Sequence, residues 1–386
     1  VANKNIVRFG DICREVKLSS KCPIADGYER YVGLEHLDSG SLNIKRWGII
    51  EDDNPSFTRV FKKGHILLGK RRPYLRKAAI ADFDGICSGD IIVLTGKDCV
   101  SNEFLARLIH TDNFWSWAVQ TSSGSLSPRT KFSALTSLSL SVPELNKQIT
   151  SNNILKKLDL YLDRKEELLL SAQQLLKALL TREIWEKRGV VGWKEYSISE
   201  LGDVKLGRQR TPKYTTGNYT KPYLRVVNVL DGELDLSDVE EMDFNDRDFQ
   251  LHKLSVNDVL ITEGDITSVF NVGRVAIYKG EIDGCCIQNT LIRFRAGKNI
   301  NPYFAFFLFR AAYYNGIFAY HANMTTVAHL GAERFSKIRV FVPDLKTQEY
   351  IIEKINGVDC LISTLQQEIK FIKNNLRSAI TKKFIG

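Results

Sequence analysis

The chain has 386 residues, 44% of them hydrophobic and 26% charged, with a formal net charge of +9. That length suits two or three domains with apolar cores of their own, and a basic balance favours polyanionic partners. No apolar run reaches the eighteen or so residues of a membrane span, and seven cysteines without a CxxC pair argue against a disulfide framework or a zinc ribbon.

The first residues, Val1-Ala2-Asn3-Lys4-Asn5, carry no apolar core of a secretory signal, so a reducing cytoplasm is expected. The first 140 or so residues alternate short β-rich runs with glycine-bearing turns. Gly64-His65-Ile66-Leu67-Leu68 and Asp90-Ile91-Ile92-Val93-Leu94 are examples. Between them lies the densest basic cluster, Lys70-Arg71-Arg72-Pro73-Tyr74-Leu75-Arg76-Lys77, with five cations in eight residues. It follows a predicted strand and contains a proline, which predicts a loop. Lysine and arginine neutralise phosphates, and arginine also reads guanine through two hydrogen bonds. Lys70, Arg71, Arg72, Tyr74, Arg76 and Lys77 are therefore candidate DNA contacts. A helical stretch is expected over residues 101–120. The loop Ser122-Ser123-Gly124-Ser125-Leu126-Ser127-Pro128-Arg129-Thr130-Lys131 follows, offering Ser125, Arg129 and Lys131.

After Val142-Pro143 the period changes. Leu155, Leu158, Leu162, Leu169, Ala172, Leu176 and Leu179 are spaced three and four apart, interrupted only by Lys165. That is a heptad seam on one long helix, and so narrow a stripe needs a partner helix. About thirty residues make a rod of roughly 45 Å, enough to span about one turn of duplex DNA.

The second half runs through the same sequence of features. Lys205-Leu206-Gly207-Arg208-Gln209-Arg210-Thr211-Pro212-Lys213 reads as the counterpart of the basic loop, with Arg208, Gln209, Arg210, Thr211 and Lys213 as candidates. Residues 231–250 then hold nine acidic side chains and one cation, Arg247. Such a run cannot face phosphates; it reads as a solvated face or as a docking surface for a basic partner. Asn301-Pro302-Tyr303-Phe304 approaches the Asn-Pro-Pro-Tyr loop of amino-methyltransferases. The second proline is missing and no glycine-rich donor loop precedes it, so it reads as a helix start. His321-Ala322-Asn323-Met324-Thr325-Thr326 parallels the loop at 122–131 and offers Asn323 and Thr325. A second heptad closes the chain: Ile355, Val358, Ile362, Leu365, Ile369, Ile372, Leu376 and Ala379.

These parallels are a duplication. Val142-Pro143-Glu144-Leu145 recurs as Val342-Pro343-Asp344-Leu345, and Gln148 and Asp159 recur as Gln348 and Asp359, all at an offset of 200. Nearer each start, Gly10-Asp11 pairs with Gly202-Asp203 and Tyr31 with Tyr223 at an offset of 192. The expected fold is α+β: two similar α/β domains, each followed by a long helix, with the two helices pairing as an antiparallel coiled coil. The boundaries fall at 1–143, 144–188, 189–342 and 343–386. The pairing residues would be Leu155, Leu158, Leu162, Leu169, Leu176, Ile355, Val358, Ile362, Ile369 and Leu376. No Walker loop, GxSxG or nuclease-like carboxylate cluster stands out, so no catalysis is expected of this chain.

Three stretches together carry a family resemblance: Gly64-His65-Ile66-Leu67-Leu68 running into Arg72-Pro73-Tyr74-Leu75-Arg76-Lys77, then Phe83-Asp84-Gly85-Ile86-Cys87-Ser88, and Pro-Glu/Asp-Leu-x-x-Gln before each helix. In that order and in duplicate, the chain resembles the specificity subunit of type I restriction-modification enzymes. The Gly207 to Pro212 turn is similar to the family's glycine-to-Thr-Pro turn, with looser spacing. The resemblance implies two target-recognition domains, each reading one half of an asymmetric bipartite site on double-stranded DNA. It implies two modification (methyltransferase) subunits on the helices, together with restriction subunits. S-adenosylmethionine, ATP and magnesium would then sit on those partners and none on this chain. The alternatives are the recognition subunit of another methylase-based phage-defence or type II system, or a coiled-coil scaffold without a DNA role.

Overall fold

The computed structural model describes residues 5–211, 217, 219–265, 268–324, 328–376 and 379. The chain forms two units, Val1–Arg164 with Ile369–Gly386, and Lys165–Glu368. The division cuts the first long helix near its middle, whereas the sequence boundaries follow the points where strand gives way to helix.

In the first unit, Asn5–Arg8 pairs antiparallel with Ser139–Val142, bringing the ends of the domain together. A four-stranded sheet has the order Cys13–Glu15, Ile91–Gly96, Ile66–Gly69, Ala78–Ile80. Its strand Ile66–Gly69 is buried on both faces. Strand residues alternate sides, so Ile66 and Leu68 pack with Phe104, Leu105, Leu108 and Trp115. Leu67 instead packs with Val32, Phe61, Cys87 and Val93. An apolar run without polar alternation is thus what a sheet with two covered faces requires. The second layer is a five-stranded sheet in which Arg30–Val32 runs parallel to Gly85–Cys87. Helices Asn102–Ile109 and Asp112–Gln120 begin at Ser101 and Thr111, whose hydroxyls accept from Phe104 N and Phe114 N.

The second unit repeats this plan, with a three-stranded sheet in place of the five-stranded one. Its four-stranded sheet has the order Gly202–Leu206, Leu291–Ala296, Val259–Thr262, Val275–Ile277. Thr220–Leu224 runs parallel to Cys286–Ile287, so Tyr223 stands in the place of Tyr31. At each start, however, the offset is 189 rather than 192. Phe9 N donates to Leu138 O, and Ile198 N donates to Ile338 O. Gly10-Asp11 therefore matches Ser199-Glu200. Asp11 accepts from Arg8 N just as Glu200 accepts from Ser197 N, and Gly202 already belongs to the following strand. Asn301 caps helix Pro302–Tyr314 through Tyr303 N, with Pro302 in the first turn, so the Asn-Pro dipeptide is a helix start.

The first long helix spans Leu145–Glu183, 39 residues or about 58 Å. The second spans Leu345–Phe371 and ends in a π-helical turn, Ile372–Leu376. They pair antiparallel: Lys165 Nζ lies 2.8 Å from Glu368 Oε2, and Lys354 Nζ lies 3.6 Å from Glu183 Oε2. Between these ion pairs Ala172, Leu176, Ile355 and Ile362 are buried in one cluster, with Leu169 and Val358 packed against it. Leu155 joins the core of the first unit, Leu162 and Ile369 are buried, and Leu158 is half-buried. Leu376 is the exception. It sits in the π-helical turn, where the 3.5-residue spacing fails, and is 40% exposed.

Candidate nucleic-acid interface

Strand Ile66–Gly69 leads directly into the basic loop. Arg72 and Arg76 both take left-handed backbone conformations (φ 52° and 51°) and bracket a single 3-10 turn, Pro73–Leu75. Pro73 is buried beneath the turn, while Arg71, Arg72, Tyr74 and Arg76 are exposed. The loop at 122–131 lies against this turn. Thr130 N donates to Lys70 O at 2.9 Å, Arg72 N to Pro128 O at 2.7 Å, and Arg71 Nε to Ser127 Oγ at 2.6 Å. Two segments that the sequence keeps sixty residues apart thus form one surface. Arg129 is held by Asp90 at 3.1 Å, with Lys70 at 4.0 Å from the same carboxylate. Ser125 and Lys131 are exposed. Arg76 pairs with Asp112 at 2.6 Å. Lys77 is half-buried and donates to Leu34 O, which makes it a staple under the turn.

Beside this surface lies a cavity of about 570 Å³ lined by Lys17, Arg59, Lys70, Thr130 and Lys131 among others. Lys17 and Arg59 are added as candidates by the structure alone, Arg59 being paired with Glu15 of the same lining at 3.1 Å. Neither stands in a basic cluster, and only the sheet brings them to Lys70.

In the second unit the basic stretch is placed differently from expectation. Strand Gly202–Leu206 occupies the sheet position of Cys13–Glu15, so the residues after it do not correspond to the loop at 70–77. The counterpart is the segment from Glu263 onward. Leu330 N donates to Glu263 O at 2.8 Å as Thr130 N does to Lys70 O, and Gly264 bridges His329 as Arg71 bridges Arg129. Arg208 is corrected as a DNA candidate: it is 8% exposed, bonds Asp243 O, pairs with Asp248 at 3.0 Å and covers the Phe244 ring. Its positive charge is spent inside the domain. Arg210 pairs with Glu240 at 3.1 Å while half-exposed; Gln209 is exposed and Thr211 half-buried. The backbone of Asn323 pairs with His329. Lys213 and Thr325 lie outside the described residues.

Residues 3–171 and 190–374 each match the family described as "Type I restriction modification DNA specificity domain". The chain belongs to that family. Over 147 residues it is 32% identical to the type I restriction enzyme EcoDI specificity subunit of Escherichia coli, covering 38% of this chain and about a third (32%) of that relative. Its fold is similar to a chain from a study of complex assembly and conformational transition in a type I R-M system (TM-score 0.60, 17% identity, 99% and 98% of the two chains covered). It is equally similar to the type I restriction-modification S subunit of M. genitalium (TM-score 0.60, 14% identity, 100% and 96% covered).

Within the second specificity domain the acidic run has a structural use that neither sequence reading anticipated. Asp231 pairs with Arg310, Asp238 and Glu240 with Arg225, and Asp248 with Arg208. The run supplies counter-charges to arginines elsewhere in the domain. Burial and a hydrogen bond to Glu240 push the Tyr223 hydroxyl up to about 12, so it stays a donor across the neutral range.

Proposed function

We propose that this chain is the non-catalytic, sequence-reading subunit of a type I restriction-modification complex. Each specificity domain engages one half of an asymmetric bipartite DNA site. The observation that carries this reading is the joining of the loops at 70–77 and 122–131 into one exposed cationic surface. Arginine forks and a small-residue hairpin suit both phosphate oxygens and base edges. On the first long helix, Ile154, Tyr161, Leu168 and Leu175 recur every seven residues and are 40%, 46%, 46% and 51% exposed. They support the reading that the helices seat two modification subunits, with restriction subunits joining that assembly. S-adenosylmethionine, ATP and magnesium belong to those partners. Such a complex works in the cytoplasm, and no described helix is long and apolar enough to cross a membrane.

The test is selection of randomised duplexes by the full chain, alone and with its cognate modification subunit. The expected result is two short conserved blocks separated by a fixed gap, with affinity that falls steeply as salt rises. A single block, or none, would refute the proposal.

A further inference from the structure

The equivalence of the two hairpins exposes a reversal of chemistry. In the first domain the matched positions hold Lys70, Asp90 and Arg129, linked by the two ion pairs on Asp90. In the second they hold Glu263, Thr290 and His329. The equivalence follows from the main chain: Lys70 N donates to Asp90 O, and Glu263 N donates to Thr290 O at 2.9 Å. Arg71, one residue on, is matched by Gly264. A cationic hairpin in one domain is a carboxylate–imidazole hairpin in the other.

His329 Nδ1 lies 2.8 Å from Glu263 Oε2. A carboxylate oxygen accepts, so Nδ1 carries the hydrogen; in the neutral form of the ring Nε2 is then an acceptor, whereas in the imidazolium both nitrogens donate. Glu263 is largely covered (14% exposed), whereas His329 is half exposed (50%). The carboxylate thus orients and the ring is presented. Gly264 makes room for it, because a Cβ at that position would stand 2.8 Å from Nδ1.

We propose that His329 is the base-reading residue of the second domain, oriented by Glu263 through Nδ1. In the neutral form of the ring its Nε2 accepts a hydrogen bond from the exocyclic amino group of an adenine or a cytosine. The inference rests on the DNA-reading function above. It assigns the two half-sites different modes of contact: donors and phosphate neutralisation by the first domain, an oriented acceptor by the second.

The experiment is the same duplex selection with the full-length His329→Ala, His329→Asn and Glu263→Gln variants, the first half-site serving as an internal control for folding. His329→Ala should lose about tenfold preference at one base pair of the second half-site and leave the first unchanged. His329→Asn keeps a donor for Glu263 but has nothing at Nε2, and should behave like His329→Ala. Glu263→Gln should show a smaller loss at that same base pair. Wild-type protein should suffer the same tenfold loss on a duplex whose base there lacks its amino group, and His329→Ala should lose nothing further on it. If wild type selects two blocks and His329→Ala selects the same two, the inference fails and the DNA-reading function stands. Independent losses from the side chain and the amino group would likewise overturn it. If wild type selects no sequence, both fail together.

Discussion

Gln148 and Gln348 make the same bonds in the two domains. Each side-chain Nε2 donates to the carbonyl of the proline five residues earlier (Pro143, Pro343). It also donates to a carbonyl at the foot of its domain, Cys99 O at 3.0 Å and Asn299 O at 3.1 Å. Both glutamines are at least 99% buried. They lock the first turn of each long helix to the domain before it. They differ in one respect: Gln348 Oε1 accepts from Asn301 N at 2.8 Å, while Gln148 Oε1 has no partner among the described residues. Leucine at either position strands two buried carbonyls, at a cost of about 1–3 kcal/mol. Gln348→Leu also strands the Asn301 amide, so it should lower the melting temperature more than Gln148→Leu in a thermal-shift comparison.

Arg310 is a second tie between domain and helix. Almost fully buried, it pairs with both Asp231 and Asp359, and donates to Tyr314 Oη at 3.1 Å. In the first domain Arg107 meets Asp159 at 2.9 Å with greater exposure. Arg310→Met leaves two partly covered carboxylates, Asp359 and Asp231, without their cation and should lower stability more than Arg107→Met does. Chemical denaturation of the two variants side by side measures the difference.

The arginines singled out by sequence separate into two classes by burial. Replacing Arg71, Arg72 and Arg129 with alanine should weaken duplex binding and reduce the magnitude of its salt slope by about 2–3, without altering the melting temperature appreciably. Arg208→Ala should do the reverse: it uncovers Asp248 and the Phe244 face, lowers stability and leaves the salt slope unchanged. Binding titrations at several salt concentrations, paired with melting curves, separate the two outcomes.

Burial pushes the thiols of Cys13, Cys87, Cys285 and Cys286 up to about 12, so they stay protonated and unreactive at neutral pH. Cys22, Cys99 and Cys360 are exposed. A thiol reagent at pH 8 should therefore titrate three cysteines in the native protein and all seven after unfolding. A higher native count would show that one of the sheet layers opens.

Lys165 interrupts the seam yet is only 23% exposed, its ammonium reaching Glu368. Lys165→Leu exchanges a partly screened ion pair for apolar burial and should raise the melting temperature by about 2–4 °C. It also removes a polar marker of helix register, so the oligomeric state should be checked by light scattering.

The helices were the most legible part of the sequence, because a heptad is a local pattern in which spacing announces a seam residue's role; Leu376, in the π-helical turn, departs from it. The duplication was legible for the same reason, down to the two glutamines. The candidate recognition surface was not. Arg71 and Ser127 meet only because the sheet folds back, and nothing in either loop encodes the other. Assigning residues 205–213 as the counterpart of the basic loop failed because composition was matched where topology governs: charge has reversed at the true counterpart, and only the main-chain pairing survives. Arg310 shows the same limit. It reaches Asp359 from one helical turn beyond the residue that the offset of 200 aligns with Arg107, so the contact persists while the register does not.

The bonds that shape each hairpin, from Thr130 N to Lys70 O and from Leu330 N to Glu263 O, are made by the main chain alone. Lys70 and Glu263 differ in sign at matched positions while that main-chain bond is kept, whereas Thr130 and Leu330 beneath them are buried. A lineage carrying this scaffold can therefore explore new recognition by single substitutions, each altering what is bound while leaving intact the fold on which later changes depend.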